Sequence, residues 1–498
     1  MMPPKQIPLT HGARMLEKVQ ADRQAKLAKI RELGIDPFGG RYDTAEPIQA
    51  VLGRYKDDAA PQPADVAGRL ILMRDMGKMI FAHVRDQSGQ MQIALRKNAL
   101  DERGWALAKL LDLGDLVAAA GPVQKTKTGE VTVWAEKLVL LCKSLSPMPE
   151  KFHGLADVET RYRRRYLDLM TNPESLAVFQ QRVRIVEFFR ATLKQRGFVE
   201  VETPILQPIY GGGAARPFTT HHNSLDADLF LRISPELYLK RLLVGGIEKV
   251  FEIGRQFRNE GLDARHNPEF TMLELYQAYA DYEVMMEITE ELIAGAAEAV
   301  AGKTKLTFGD TELDLMRPWP RTRYEDLLKE HAGVSMRDGE AVRNKARQLG
   351  LEEANKDDAV VVNDVFAAAV EPVLARATRP TFVTDYPADI CPLTRRKADD
   401  PSIALRFELY IAGMEIANAY TELNDPAVQE ANFRQQLRGE GDAAAMRVMD
   451  EDFLTALRHG MPPAGGLGIG MDRLVMLLTG APSIRDVVLF PQLRPRAT

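Results

Sequence analysis

From Gly466 to Gly470 every second residue is glycine, with Leu467 and Ile469 between them. Successive side chains of an extended strand point to opposite faces, so one face of this segment is apolar and the other is bare. A bare face requires another backbone or a flat ligand in close approach. Met471, Asp472 and Arg473 then open a helical pattern, so the segment reads as a buried strand that runs straight into a helix. Its glycine spacing is not that of a dinucleotide fingerprint. Gly302-Lys303-Thr304 is not a P-loop either, because Ala297 stands where the earlier glycine is needed.

Two more segments carry chemistry on strand-like faces. Along residues 250–260, Phe251, Ile253 and Phe257 share one face, while Glu252, Arg258 and Glu260 share the other. An irregular polar loop at residues 261–268 returns the chain to a second strand, on which Phe270, Glu274 and Tyr276 fall on one face. The second pair, residues 407–411 and 414–422, turns at Ala412-Gly413 and alternates Asn418, Tyr420 and Glu422 onto one face. Glu408 and Glu415 sit beside that turn. Paired carboxylates without histidine or cysteine partners suit Mg²⁺ shared with phosphate oxygens better than zinc. His221-His222 has no matching ligands around it, and no nucleophile–histidine–acid triad is apparent.

A chain of 498 residues is long enough for two to four domains. Its net charge of −5 does not advertise nucleic-acid binding, so any RNA contact must use local basic patches. Cys142 and Cys391 offer neither a disulfide framework nor a zinc cluster, which fits a reducing, cytoplasmic setting. Residues 1–10 are polar and Pro-rich, without the basic and apolar regions of a leader, and no apolar run is long enough to span a membrane. Residues 15–33 pattern as an amphipathic helix carrying Lys18, Arg23, Lys26, Lys29 and Arg31, a solvated face or one that brushes RNA. Between residues 66 and 141 five short alternating runs, with a helix between the third and fourth, predict an OB-fold barrel, a small β-domain that can bind single-stranded nucleic acid. The basic run Arg161-Tyr162-Arg163-Arg164-Arg165 reads as a phosphate contact or a salt-bridged hinge. Asn172 is expected to cap a helix with Pro173 in its first turn and Gly197 past its end. Its stripe of Val178 or Phe179, Val183, Val186, Phe189 and Leu193 needs a partner surface.

Taken in order, Gly197-Phe198 leading to Pro204, Phe257-Arg258-Asn259-Glu260 closed by Arg265-His266-Asn267-Pro268-Glu269-Phe270, and residues 466–473 resemble motifs 1, 2 and 3 of class II aminoacyl-tRNA synthetases. YGGGAARPFTTHHN (residues 210–223), SPELYLKRLLVGG (234–246), FRNEGLDARHNPEFTMLELYQAYADY (257–282) and MEIANAYTELNDP (414–426) narrow the resemblance to class II lysyl-tRNA synthetase. It covers most of the chain, from the OB-like region to Phe490-Pro491.

The resemblance implies an α+β chain: an N-terminal extension (1–63), a five-stranded OB-fold barrel that binds the anticodon (64–147), and a catalytic domain with an antiparallel sheet flanked by helices (148–498). It implies activation of L-lysine with ATP and transfer to tRNA(Lys) by a homodimer paired through motif 1. Arg258 would bind the α-phosphate and the lysine carboxylate, and Glu260 the adenine amino group. His266 and Asn267 would lie near the phosphates, Phe270 would stack on adenine, and Arg473 would cover its other side and reach the γ-phosphate. Glu408 and Glu415 would hold Mg²⁺. Gly212, Glu236 and Glu274 would receive the α-ammonium of lysine. Tyr276 and Glu422 would grip the ε-ammonium, with Asn418 and Tyr420 lining the slot. Phe81, Gln92 and Glu130 would read the anticodon. Met73 departs from the pattern: bacterial members carry arginine there, so that contact is not carried over. An amide-forming ligase on the same fold, or a silent nucleic-acid-binding paralogue, would dispense with the barrel or with the Arg258, Glu260, Glu408, Glu415 and Arg473 set; both are present. A shorter relative that lysylates an elongation factor lacks the barrel.

Overall fold

The computed structural model of the chain describes residues 11–149, 155–213, 215–438 and 449–495; segment 1–10 lies outside them. The chain divides into two compact units, Met1–Ala156 and Asp157–Thr498.

In the first unit the alternating runs form strands Pro63–Asp75, Met79–Arg85, Gln90–Arg96 and Leu116–Lys125, and a last run that breaks at Glu136 into Val131–Ala135 and Lys137–Cys142. The first strand pairs antiparallel with both the second and the fourth, and the third pairs parallel with Val131–Ala135. The barrel therefore closes with Val66, Ile80, Ile93, Val117 and Val133 in its interior. A Cβ on Gly121 would lie 2.1 Å from the Trp134 carbonyl oxygen, so the closing strands approach there only over a glycine. Helix Glu102–Leu110 stands between the third and fourth strands in sequence, capped by Asp101, which accepts from the Gly104 N–H. Helix His11–Glu32 joins the same core through Ile30. Two of its cations are structural. Arg23 is buried and donates to the Leu113, Ser144 and Ser146 carbonyls, and Lys26 pairs with Asp112.

The second unit is built on an eight-stranded sheet. From edge to edge it runs Arg321–Arg323, Thr381–Pro387, Ile403–Ile411, Met414–Thr421, Ala464–Gly470, Glu269–Ala278, Lys249–Phe257 and Val199–Glu200. The interior pairs are antiparallel, and the short edge strands join in parallel. One face of the sheet, with Phe251, Leu273, Leu275, Leu409, Leu467 and Ile469, packs on helices Pro173–Gln195, Tyr282–Ala301 and Met471–Thr479. The alternation that puts those residues inward leaves their polar neighbours on the opposite face.

Three expectations change in detail. Asn172 flanks the Pro173–Gln195 helix, but its side chain makes no cap; its amide donates to Asp168 instead. Asp168 also gathers Arg161 and the buried Arg165, and Arg163 pairs with Glu159, so the basic run is mostly salt-bridged and leaves Arg164 exposed. The apolar stripe finds most of its partner within its own chain, since Phe179, Phe189 and Leu193 are buried. Val183 is 55% exposed, and Val199, Ile205 and Leu206 farther along are also exposed.

Candidate active site

The polar face of the sheet holds two adjoining cavities that follow one another along the glycine strand. A Cβ at Gly466 would lie 1.9 Å from Glu422 Oε1 and 2.5 Å from the Tyr276 ring, and one at Gly468 would lie 2.5 Å from the Met272 methyl. The bare face is therefore occupied by side chains from the two flanking strands.

The first cavity, of about 300 Å³, is lined by Gly212, Ser234, Glu236, Arg258, Glu274, Tyr276, Asn418 and Tyr420, among others. Ser234 Oγ donates to Glu274 Oε1 at 2.8 Å and the Tyr276 hydroxyl donates to Oε2 at 3.2 Å. The Tyr420 hydroxyl donates to Glu236 Oε2 at 3.3 Å. Glu422 is fully buried and is not part of the lining. Its Oε2 lies 2.5 Å from Lys240 Nζ, and the same ammonium is 2.7 Å from Glu236 Oε1. Burial, and then the charge of Glu236, push Glu274 up to about 8. Burial works against the Lys240 ammonium, but Glu236 and Glu422 outweigh it and hold the group charged. Burial also raises Glu422 against the pull of Lys240. Three carboxylates around one internal ammonium thus keep a proton in the cluster at neutral pH.

The second cavity, of about 250 Å³, is lined by Glu260, Arg265, His266, Asn267, Phe270, Glu415 and Arg473, among others. Arg258, Met272, Asn418 and Gly468 line both cavities. The Arg258 guanidinium carbon is 5.1 Å from the Phe270 ring centre. Arg258 Nε and Asn267 Oδ1 are buried without a hydrogen-bond partner among the described residues. Both are polar atoms ready for a ligand. Arg473 Nη1 donates to the Glu415 carbonyl, and its Nη2 meets His266 Nε2 at 2.9 Å. A guanidinium only donates, so His266 Nε2 accepts and its Nδ1–H faces Asp263 at 2.7 Å.

Glu408 lies beyond both linings. It accepts from the Tyr386 and Tyr410 hydroxyls and from Arg406. Burial, and then the charge of Glu408, hold Glu415 above the usual carboxylate range. Surplus negative charge on hard oxygen donors suits Mg²⁺. No group of three or more His, Cys, Asp or Glu among the described residues could hold a metal, so any such ion needs ligand oxygens to complete its shell. Glu252, expected on the same face as Arg258 and Glu260, does not reach the cavities: it pairs with the buried Arg232 at 2.6 Å and accepts from Thr203. His221 and His222 are exposed, with His221 beside Asp226 and Asp228.

On the barrel, Phe81, Gln92 and Glu130 come together. Gln92 Nε2 donates to Glu130 Oε2 at 2.7 Å and His83 Nε2 meets Oε1 at 2.6 Å. Trp134 stands edge-on to Phe81 at 6.2 Å, with Arg96 over its ring at 4.9 Å. Met73 packs against the barrel core, on the face opposite Phe81. Arg74 is the cross-strand partner of Phe81.

Residues 157–494 match the family model of class II tRNA synthetases (D, K and N), and residues 64–141 match that of OB-fold nucleic acid binding domains. Across 489 residues the chain is 52% identical to a lysine–tRNA ligase of Pelotomaculum thermopropionicum, covering 97% of this chain and 96% of that protein. A lysine–tRNA ligase of Bacillus subtilis is 47% identical over 486 residues, covering 95% and 97%. The chain belongs to the lysine–tRNA ligase family of class II synthetases.

For this synthetase, sequence reasoning missed residues that act across elements. Lys240 follows Glu236 by four positions on helix Glu236–Val244, a spacing that does put two side chains on one face. Its second partner, Glu422, comes from a distant strand. Asp472 and Arg182 were missed for the same reason; Asp263, which holds His266 three positions on, was missed although its contact is local. Asp472, beside Arg473, is buried, pairs with Arg182 at 2.5 Å and accepts from the Thr271 N–H at 2.7 Å. That one carboxylate joins the helix of motif 1, the strand of motif 2 and the helix of motif 3.

Proposed function

We infer that the chain activates L-lysine with ATP to lysyl-adenylate and transfers the lysyl group to the 3′ end of tRNA(Lys). The observation that carries this is the meeting of two cavities at Arg258. One is rich in buried carboxylates, and the other has an aromatic ring and a second arginine. The relatives named lysine–tRNA ligase support the same choice of amino acid.

In this proposal Glu236, Glu274 and the Gly212 backbone take the α-ammonium. Tyr276 and Glu422 take the ε-ammonium, and Asn418 and Tyr420 fit the chain between them. Phe270 and Arg473 sandwich adenine, Glu260 meets its amino group, and His266 and Asn267 stand at the phosphates. Arg258 spans the shared wall, so it can bind the lysine carboxylate and the α-phosphate together. The attacking carboxylate is already ionised and needs no general base. The residues contribute by aligning the two substrates and neutralising the charge that develops on the α-phosphate. Glu408 and Glu415 would hold Mg²⁺ against the ATP phosphates, supplying charge neutralisation there. Phe81, Gln92 and Glu130 read the anticodon on the barrel of residues 64–147, while residues 148–498 perform the chemistry. The exposed Val183, Val199, Ile205 and Leu206 support a homodimer. Translation is the use of this product, so the enzyme is cytoplasmic. Among the described residues no helix is long and apolar enough to cross a membrane.

ATP–pyrophosphate exchange measured with each amino acid in turn tests the proposal. Lysine should support exchange well above every other amino acid, and exchange driven best by aspartate or asparagine would overturn it. Light scattering that gave a mass near 55.6 kDa would remove the dimer.

A further inference from the structure

Lys240 has no exposed surface and no role in the chemistry described so far, yet its ammonium sits between two carboxylates assigned to opposite ends of the amino acid. It touches Glu236 through Oε1 and Glu422 through Oε2. One oxygen of each is left over. Glu236 Oε2 faces the Tyr420 hydroxyl at 3.3 Å. Glu422 Oε1 is buried against Gly466 and Tyr276 and has no hydrogen-bond partner among the described residues. An unpartnered buried carboxylate oxygen is costly unless a donor arrives, and a substrate ammonium is such a donor.

The charges lead to the same place. With Arg406 of the lining neutralised by Glu408, Glu236, Glu274 and Glu422, once ionised, exceed Lys240 and Arg258 by one negative charge. Free lysine at neutral pH carries one net positive charge, so the filled slot is neutral. Without Lys240 the same slot would hold one uncompensated negative charge in a dry site. An amino acid with an uncharged side chain would leave the same deficit with Lys240 present.

Resting on the lysine-activating function inferred above, we propose that Lys240 is a positioning residue that sets specificity for a dicationic amino acid. It clamps Glu236 and Glu422 as one unit, turns one oxygen of each toward the substrate, and fixes the charge of the slot. It touches neither ATP nor the reacting carboxylate. A cation held only for stability would behave otherwise, since its loss would weaken the whole sheet face and both substrates together.

The full-length enzyme carrying Lys240→Gln, which keeps donors but no charge, is compared with the parent in pyrophosphate exchange. The expected result is a lysine KM raised by about tenfold or more, with kcat and the ATP KM within about twofold, measured below the lowered melting temperature that loss of a buried pair brings. Lys240→Met, of similar length and apolar, should give the same split with a larger rise, and it serves if the glutamine variant does not fold. An unchanged lysine KM in a folded variant overturns the proposal. So does a joint change of kcat and both KM values in proportion, which marks a structural ion pair. If the parent itself fails to exchange with lysine, the functional inference fails before Lys240 is tested.

Discussion

Arg182 Nη1 lies 2.5 Å from Asp472 Oδ1, linking a helix near the start of the catalytic unit to one near its end. The same guanidinium donates to Thr271 Oγ1 and to the Val487 carbonyl. Asp472 Oδ2 accepts the Thr271 N–H. Because Arg473 and Phe270 flank this junction in sequence, it sets the spacing between the two groups proposed to sandwich adenine.

Removing the arginine should therefore cost both stability and nucleotide binding. Asp472 is only 3% exposed in its side chain, and breaking a buried pair from one side costs about 3–5 kcal/mol. Arg182→Ala should lower the melting temperature by roughly 5 °C or more in a unit of this size and raise the ATP KM. Asp472→Asn on top of it should recover part of the loss, because it removes the stranded charge. If the double variant melts lower than the single one, packing of the arginine stem, not its charge, holds the junction.

A second expectation concerns pH. Glu274 is pushed up to about 8, by burial first and by Glu236 second. An ammonium seated beside it favours the ionised form, so lysine binding near pH 7 should release up to about one proton. Affinity should then rise as pH goes from about 6 to 8 and level off above that. The effect on folding has the opposite sense. A carboxylate raised above its unfolded value of about 4.3 favours the fold fully below that pH, and its contribution is lost as pH climbs toward 8. Calorimetry of lysine binding in phosphate and in Tris reads the proton directly, and equal observed heats in the two buffers would remove it.

Much of this was legible in sequence because period-two alternation fixes which residues share a face. It brought Phe270, Glu274 and Tyr276 together, and likewise Asn418, Tyr420 and Glu422. The barrel strands followed from the same signal. What alternation does not carry is depth and partner. Glu252 lies on a polar face, yet it is taken by Arg232 at 2.6 Å and never reaches the cavities. Glu422 lies on the right strand but behind the lining, where Lys240 meets it. Met73 departs from the family pattern, and its side chain packs against the barrel core while Arg74 is the neighbour across from Phe81. Each of these depends on a contact between segments far apart in the chain, and no local pattern encodes it.

The barrel should separate from the chemistry. Phe81 and Trp134 present two rings 6.2 Å apart beside the Gln92–Glu130 hydrogen bond. Loss of a base-stacking ring costs about 1–3 kcal/mol, so Phe81→Ala should weaken tRNA charging while lysine-dependent pyrophosphate exchange stays near that of the parent. Equal loss in both assays would mean that the barrel does not read the anticodon.

The sharpest steric expectation falls on Gly466. An added methyl group would stand 1.9 Å from Glu422 Oε1 and 2.5 Å from the Tyr276 ring. Neither neighbour is a free-swinging tip, for Glu422 is held by Lys240 and the Tyr276 ring is buried. The strand lies in the middle of the sheet, paired on both sides, so the backbone cannot yield cheaply. Gly466→Ala must therefore displace the carboxylate or the phenol proposed to hold the ε-ammonium, and a shift of about 1 Å at such a site costs on the order of 10²-fold in rate. Lysine-dependent exchange should fall by that much, while the thermal shift induced by ATP alone is retained, since Gly466 does not line the second cavity, proposed to take the nucleotide. Exchange within about twofold of the parent would show that neither group grips the substrate.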